Sequence, residues 1–144
     1  MPVVKKSALV RHSATQMFDL VSDVEGYPKF LPWCHSTELL SRSEDQLCGR
    51  IEVARLGVRQ VFSTCNKLDP PHHMQIDLMD GPFRKLTGGW TFTPLRADAC
   101  KVELELDFEF SGRLIDKAFG GIFGQIANSL VDAFVKRADE VYGD

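Results

Sequence analysis

A chain of 144 residues, 44% hydrophobic and 26% charged, has the make-up of one globular domain (residues 1–144) large enough to bury a core. Its 17 basic and 20 acidic residues leave a formal charge of −3, without the basic excess that advertises nucleic acid, and DNA is not an expected partner. The cysteines Cys34, Cys48, Cys65 and Cys100 form no Cys-x-x-Cys pair and show no zinc spacing. Free buried thiols in a reducing compartment are therefore expected, rather than a metal site or a disulfide framework.

The first residues, "MPVVKKSALVRH", lack the apolar run and cleavage site of a secretory signal. No window approaches ~20 apolar residues, so no membrane span is expected and the chain reads as cytoplasmic. Val3–Val10 reads as a short strand. Ser13 or Thr15 then caps a helix over "TQMFDLVSD", with Met17, Phe18, Leu20 and Val21 as its apolar stripe. The next stretch, "DVEGYPKFLPWC" (Asp23–Cys34), is too broken by proline and glycine for a regular helix or strand. It is also too apolar for a solvated loop.

From Cys34 to Phe110 the pattern is strand, turn, strand, five or six times. Leu47–Arg55 alternates, Leu56–Gly57 makes a tight turn, and "VRQVFSTCNKL" returns. Pro70 and Pro71 break the following connection. Met74, Ile76 and Leu78 share one face of the next strand, and Leu86, Gly88, Trp90 and Phe92 one face of the strand after it. In "KVELELDFEF" (Lys101–Phe110) the period of two has no exception, which predicts a sheet with one buried and one wet face. Arg113 to about Tyr142 has helical period, through Ile115, Phe119, Ile122, Ile126, Leu130 and Phe134. About thirty residues of helix span roughly 45 Å, and the only apolar surface that long is the buried face of the sheet. The expected class is α+β, a curved antiparallel sheet wrapped around a long C-terminal helix with an apolar cavity between. Gly120, Gly121 and Gly124 fit close helix packing, a pliable roof beside a ligand entrance lined by Phe119, Ile122 and Phe123, or a frayed or kinked start of the helix.

Catalytic motifs are sparse. No Gly-x-Ser-x-Gly, His-Glu-x-x-His or phosphate-binding loop occurs, so no catalytic residue and no metal ligand is assigned. Cys34 has no neighbouring base, His72 and His73 would face opposite ways in a strand, and Asp77 and Asp80 read as solvent-facing and turn residues. Apolar lining is what the sequence supplies, with 10 Phe and 2 Trp.

"D-V-x-x-Y-P-x-F-L-P-W-C" at Asp23–Cys34, "GPFRKL" with Trp90 and Phe92, "FEF" before the last helix and "VDAFVKRA" within it resemble the START-like polyketide cyclase/dehydrase superfamily. More narrowly they resemble the coenzyme Q-binding protein and ribosome association toxin family. The resemblance covers nearly the whole chain. It implies a helix-grip fold and non-catalytic binding of ubiquinone or a related isoprenoid quinone, in support of respiration or quinone synthesis, with no other cofactor. It carries Tyr27, Pro28, Phe30, Leu31, Pro32 and Trp33, and Gly81, Pro82, Phe83, Leu86 and Trp90, onto the family's two motifs. The expected lipid-contacting set is Tyr27, Phe30, Leu31, Pro32, Trp33, Phe83, Leu86, Trp90, Phe119, Ile122 and Phe123.

For bacterial members the resemblance also implies association with the large ribosomal subunit, blocking subunit joining. Arg50, Arg55 and Arg59 around the Leu56–Gly57 turn are the candidate contacts. Peripheral membrane contact is a further expectation. A cyclase-like enzyme acting on a hydrophobic substrate is the remaining alternative, and it would need titratable groups inside the cavity.

Overall fold

The computed structural model describes residues 3–143. Among them seven strands form one antiparallel sheet: β1 (Val3–Val10), β2 (Cys34–Arg42), β3 (Gln46–Arg55), β4 (Val58–Asp69), β5 (His73–Asp80), β6 (Phe83–Arg96) and β7 (Ala99–Phe110). The order β1-β7-β6-β5-β4-β3-β2 is a meander from β2 to β7, with β1 added beside β7. The unbroken alternation of β7 is realised as expected: Val102, Leu104, Leu106, Phe108 and Phe110 are all buried.

The sheet bends where glycine allows it. Gly88 has φ 150°, and a Cβ there would overlap the Glu105 carbonyl oxygen of β7. A side chain at Gly89 would press on the Met74 carbonyl of β5 instead. Two glycines in the middle of β6 thus let its neighbours approach, and the sheet curves at that point. At the β3–β4 turn, Leu56 (φ 52°) and Gly57 (φ 79°) both take the left-handed conformation that joins two strands by a two-residue loop.

Helix α1 (Ala14–Ser22) starts with a reciprocal cap. The Gln16 amide N–H donates to Ser13 Oγ at 3.1 Å, and the Ser13 amide N–H donates to Gln16 Oε1 at 3.0 Å. After it the broken stretch is more regular than its composition suggests. Val24–Lys29 winds as a 3₁₀ helix with Pro28 inside. A piece this short needs few ladder bonds, so a residue without an N–H is tolerated. It is tied down by neighbours: the Tyr27 hydroxyl donates to the Val21 carbonyl, and Thr37 Oγ1 of β2 donates to the Val24 carbonyl at 3.0 Å.

The C-terminal helix runs from α2 (Arg113–Ile115) through a π-helical segment (Asp116–Gly120) into α3 (Gly121–Tyr142). By length and composition it is apolar enough to cross a membrane, which the sequence reading did not anticipate. Here its stripe of Phe119, Phe123, Ile126, Ala127, Val131, Phe134 and Ala138 is buried in the core. Its far end is held by His12 Nε2, 2.7 Å from Asp139 Oδ1, and by the Tyr142 hydroxyl, which donates to the Gln16 carbonyl at 3.1 Å.

The cysteines divide, and the expectation of free thiols is corrected for two of them. Cys34 and Cys100 are free and buried, whereas Cys48 and Cys65 are joined in a disulfide. They are direct ladder partners on β3 and β4, a neighbourhood that their sequence separation of 17 conceals.

Candidate functional site

The site is a cavity between the curved sheet and α3. Its floor comes from alternate residues of successive strands. Leu47, Gly49 and Ile51 of β3 lie directly opposite Asn66, Thr64 and Phe62 of β4. Met74 and Ile76 of β5, Leu86 and Trp90 of β6, and Leu106 of β7 continue the same face. Phe123, Ile126, Leu130 and Phe134 of α3 form the roof. Val24 and Tyr27 of the 3₁₀ helix, with Trp33, close one side.

Aromatic clusters bound it at both ends. At one end Phe134 meets Trp90, Tyr27 and Phe30, with ring centroids 5.3, 5.4 and 5.3 Å apart. At the other, Phe83 stacks on Phe110 at 5.1 Å, and Phe123 meets Phe83 and Phe108 edge-on, each at 4.9 Å. Phe119 completes this second cluster against Phe110 at 5.8 Å. Edge-to-face and offset pairs at such spacings are favourable beyond their burial, so both ends are firm.

The expected contact residues separate accordingly. Tyr27, Trp33, Leu86, Trp90 and Phe123 line the cavity. Phe30, Leu31, Pro32, Phe83, Phe119 and Ile122 lie off its wall. Phe83 and Phe119 are buried in the second aromatic cluster, which plugs the space they were expected to line. Phe30 packs beneath the Arg137 guanidinium, 5.3 Å from its ring centroid. Leu31 and Pro32 line a neighbouring cleft with Arg55 and Ser129, which shares Trp33 and Ile126 with the cavity. Sequence reasoning missed Asn66 and Thr64. They share the inward face of β4 with Phe62, and polar side chains in an inward row were the signal for them.

The cavity encloses about 90 Å³. Ligand pockets run to roughly 300–1,000 Å³, so this one must widen to admit anything long. Three glycines stand at the start of the roof. A Cβ at Gly120 would overlap the Asp116 carboxylate, whereas at Gly121 and Gly124 it would meet nothing within 4 Å. Close packing therefore accounts for at most one of the three glycines.

Electrostatically the cavity is quiet. Among the described residues Tyr27 is the one lining side chain that titrates, and burial pushes its phenol well above the ordinary range. Cys34, just behind Trp33, is pushed up to about 11 by burial and stays a thiol at neutral pH. Among the described residues no group of three or more His, Cys, Asp or Glu side chains converges in metal-binding geometry. On the exterior, Arg50 pairs with Glu38 at 2.6 Å and Arg59 with Glu52 at 3.1 Å, so the expected arginine cluster is partly neutralised by its own strands.

The family model described as polyketide cyclase/dehydrase and lipid transport matches residues 10–135. A Vibrio cholerae protein named ribosome association toxin RatA is 48% identical over all of both chains. A protein of the same name from Escherichia coli K12 is 45% identical over 99% of this chain and 90% of its own. A Xenopus laevis protein named coenzyme Q-binding protein COQ10 homolog B, mitochondrial, is 30% identical over 96% of this chain and 58% of its own. Among solved structures, a START superfamily protein from Mycobacterium smegmatis aligns with TM-score 0.78 and 25% identity, covering 96% of this chain and 98% of that one. The Zhui aromatase/cyclase from Streptomyces sp. R1128 aligns with TM-score 0.78 at 17% identity, covering 96% and 93%, a likeness of fold alone.

Proposed function

The chain belongs to the polyketide cyclase/dehydrase and lipid transport family, and on that footing we propose that its cavity binds an isoprenoid lipid of the ubiquinone type without turning it over. The observation that carries this reading is the lining. Aliphatic and aromatic side chains from five strands and α3 enclose one continuous space, with few polar groups among them. Each CH₂ of a lipid tail moved there from water contributes about 0.8 kcal/mol, so a long tail needs few polar contacts to hold it. The absence of turnover is supported by chemistry. Among the described residues neither carboxylate nor imidazole lines the cavity, and the one phenol among them is held protonated, so no acid–base pair is at hand there. The test is organic extraction of protein purified from its native host, followed by mass spectrometry. An isoprenoid quinone recovered in near-stoichiometric amount is expected, and no recovered lipid counts against the reading.

A second reading, association with the large ribosomal subunit, is favoured by the names of relatives at 45–48% identity. It would use the exterior and can coexist with the first. Arg55 at the β3–β4 turn and the grouping of Lys29, Lys136 and Arg137 around Phe30, in which Arg137 also pairs with Glu140 at 3.5 Å, are its candidate contacts. Binding through phosphates weakens steeply with salt, so co-migration with ribosomal particles in a sucrose gradient at low salt should be lost at high salt. Free migration at every salt concentration contradicts this reading. Both readings call for a cytoplasmic protein.

A further inference from the structure

One side chain of the cavity is out of keeping with the rest. Asn66 sits on the inward face of β4, opposite Leu47 of β3 and Ile76 of β5. Its Nδ2 points at the Met74 sulfur, 3.5 Å away, a weak acceptor. Its Oδ1 is fully buried and has no hydrogen-bond partner among the described residues. A buried amide oxygen left unpaired is costly, and such groups are rare unless something else answers them. Thr64, two residues earlier on the same face and directly opposite Gly49, is a second polar group of this wall. The Tyr27 hydroxyl hydrogen is spent on the Val21 carbonyl, so that phenol has no donor left for a quinone carbonyl.

We propose that Asn66 Oδ1 receives a hydrogen bond from a hydroxyl on the ligand's ring, so the ligand lies with its head group inside the cavity and is preferred in its reduced, phenolic form. The inference rests on the lipid-binding reading and adds to it an orientation and a choice of redox state. A benzoquinone presents carbonyl oxygens, which accept and cannot donate. Its hydroquinone presents O–H groups, which donate to an amide oxygen. With the amide N–H₂ engaged by the Met74 sulfur, the oxygen is the group left unanswered, and a ligand that widens the contracted cavity meets an acceptor there. Leu47 and Ile76 flank the position on the neighbouring strands, so the hydrogen bond is made beside apolar side chains and faces less competition from water than at the surface.

The test is an anaerobic competition titration against a fluorescent apolar probe, using decyl-benzoquinone, decyl-hydroquinone and decylbenzene as ligands. The expected result is that the hydroquinone binds about tenfold more tightly than either of the others, which corresponds to about 1.4 kcal/mol for one hydrogen bond. Asn66→Leu should abolish that difference, the three ligands then binding within about twofold of one another. Asn66→Ser, which keeps a polar group but shortens its reach, should do the same, and it serves if the leucine variant fails to fold. Equal binding of the three ligands by the wild type, or tighter binding of the quinone, overturns the proposal and leaves lipid binding standing. A variant that retains the preference also overturns it. Failure of the wild type to bind any of the three overturns the lipid reading itself.

Discussion

Cys34 shows how much a single position owes to its surroundings. Its thiol donates to the Ser36 carbonyl at 3.8 Å, and burial lifts its pKa from the ordinary 9.0 to about 11. Between those values the unfolded chain gives up a proton that the folded chain keeps, so stability falls as pH rises through the window. We expect the urea midpoint to drop between pH 9 and about 11 more steeply in the wild type than in Cys34→Ala. Parallel curves would mean that the thiol is not held neutral by the fold. The inertness of Cys34 was legible from its lack of a neighbouring base. The pairing of Cys48 with Cys65 was not, because it depends on the register of β3 on β4, and one step of slip would separate them. Asn66 was overlooked for a related reason. Alternation assigns a residue to a face, but whether that side chain then meets a neighbour or a void is decided by where the helix comes to lie.

At the scale of elements, the strands and the two regular helices could be read because each buries one face, and the period of its apolar residues follows. The 3₁₀ helix at Val24–Lys29 and the π segment at Asp116–Gly120 have no such period. Their windings are set by the contacts of Tyr27 with Val21 and of Phe119 with the core. The π segment precedes the residues that form the roof, and the helix beyond it is held at its far end by His12 and Tyr142. Gly121 and Gly124 lie on open helix surface with room for a methyl group. Changing both to alanine should raise stability by about 1–2 kcal/mol, from helix propensity and a less flexible unfolded chain. The same change should slow lipid association, measured by stopped-flow fluorescence of the cavity tryptophans Trp33 and Trp90. A more stable variant with an unchanged association rate would show that the roof opens elsewhere.

Taken whole, the molecule is a sheet bent at Gly88–Gly89 and closed by one long helix, with two aromatic clusters holding the ends of the space between. The meander and the helix across the sheet followed from patterning, whereas the place of β1 beside β7 did not. The family motifs contributed Tyr27, Trp33, Leu86 and Trp90 to the lining, but also Phe30 and Phe83, whose place is in the packing around it. The volume of the space could not be read from the sequence, since it is the small difference between what the sheet curvature leaves and what the side chains fill. That volume, about 90 Å³, makes the central claim exposed to a direct test. Leu130 lines the roof from a half-buried helix position, so Leu130→Trp should fill the cavity without unfolding the protein. The decisive measurement is native mass spectrometry of wild type and Leu130→Trp, each purified from the native host. The account predicts one bound isoprenoid lipid on the wild type and none on the folded variant. Equal lipid on both, or none on either, would contradict it.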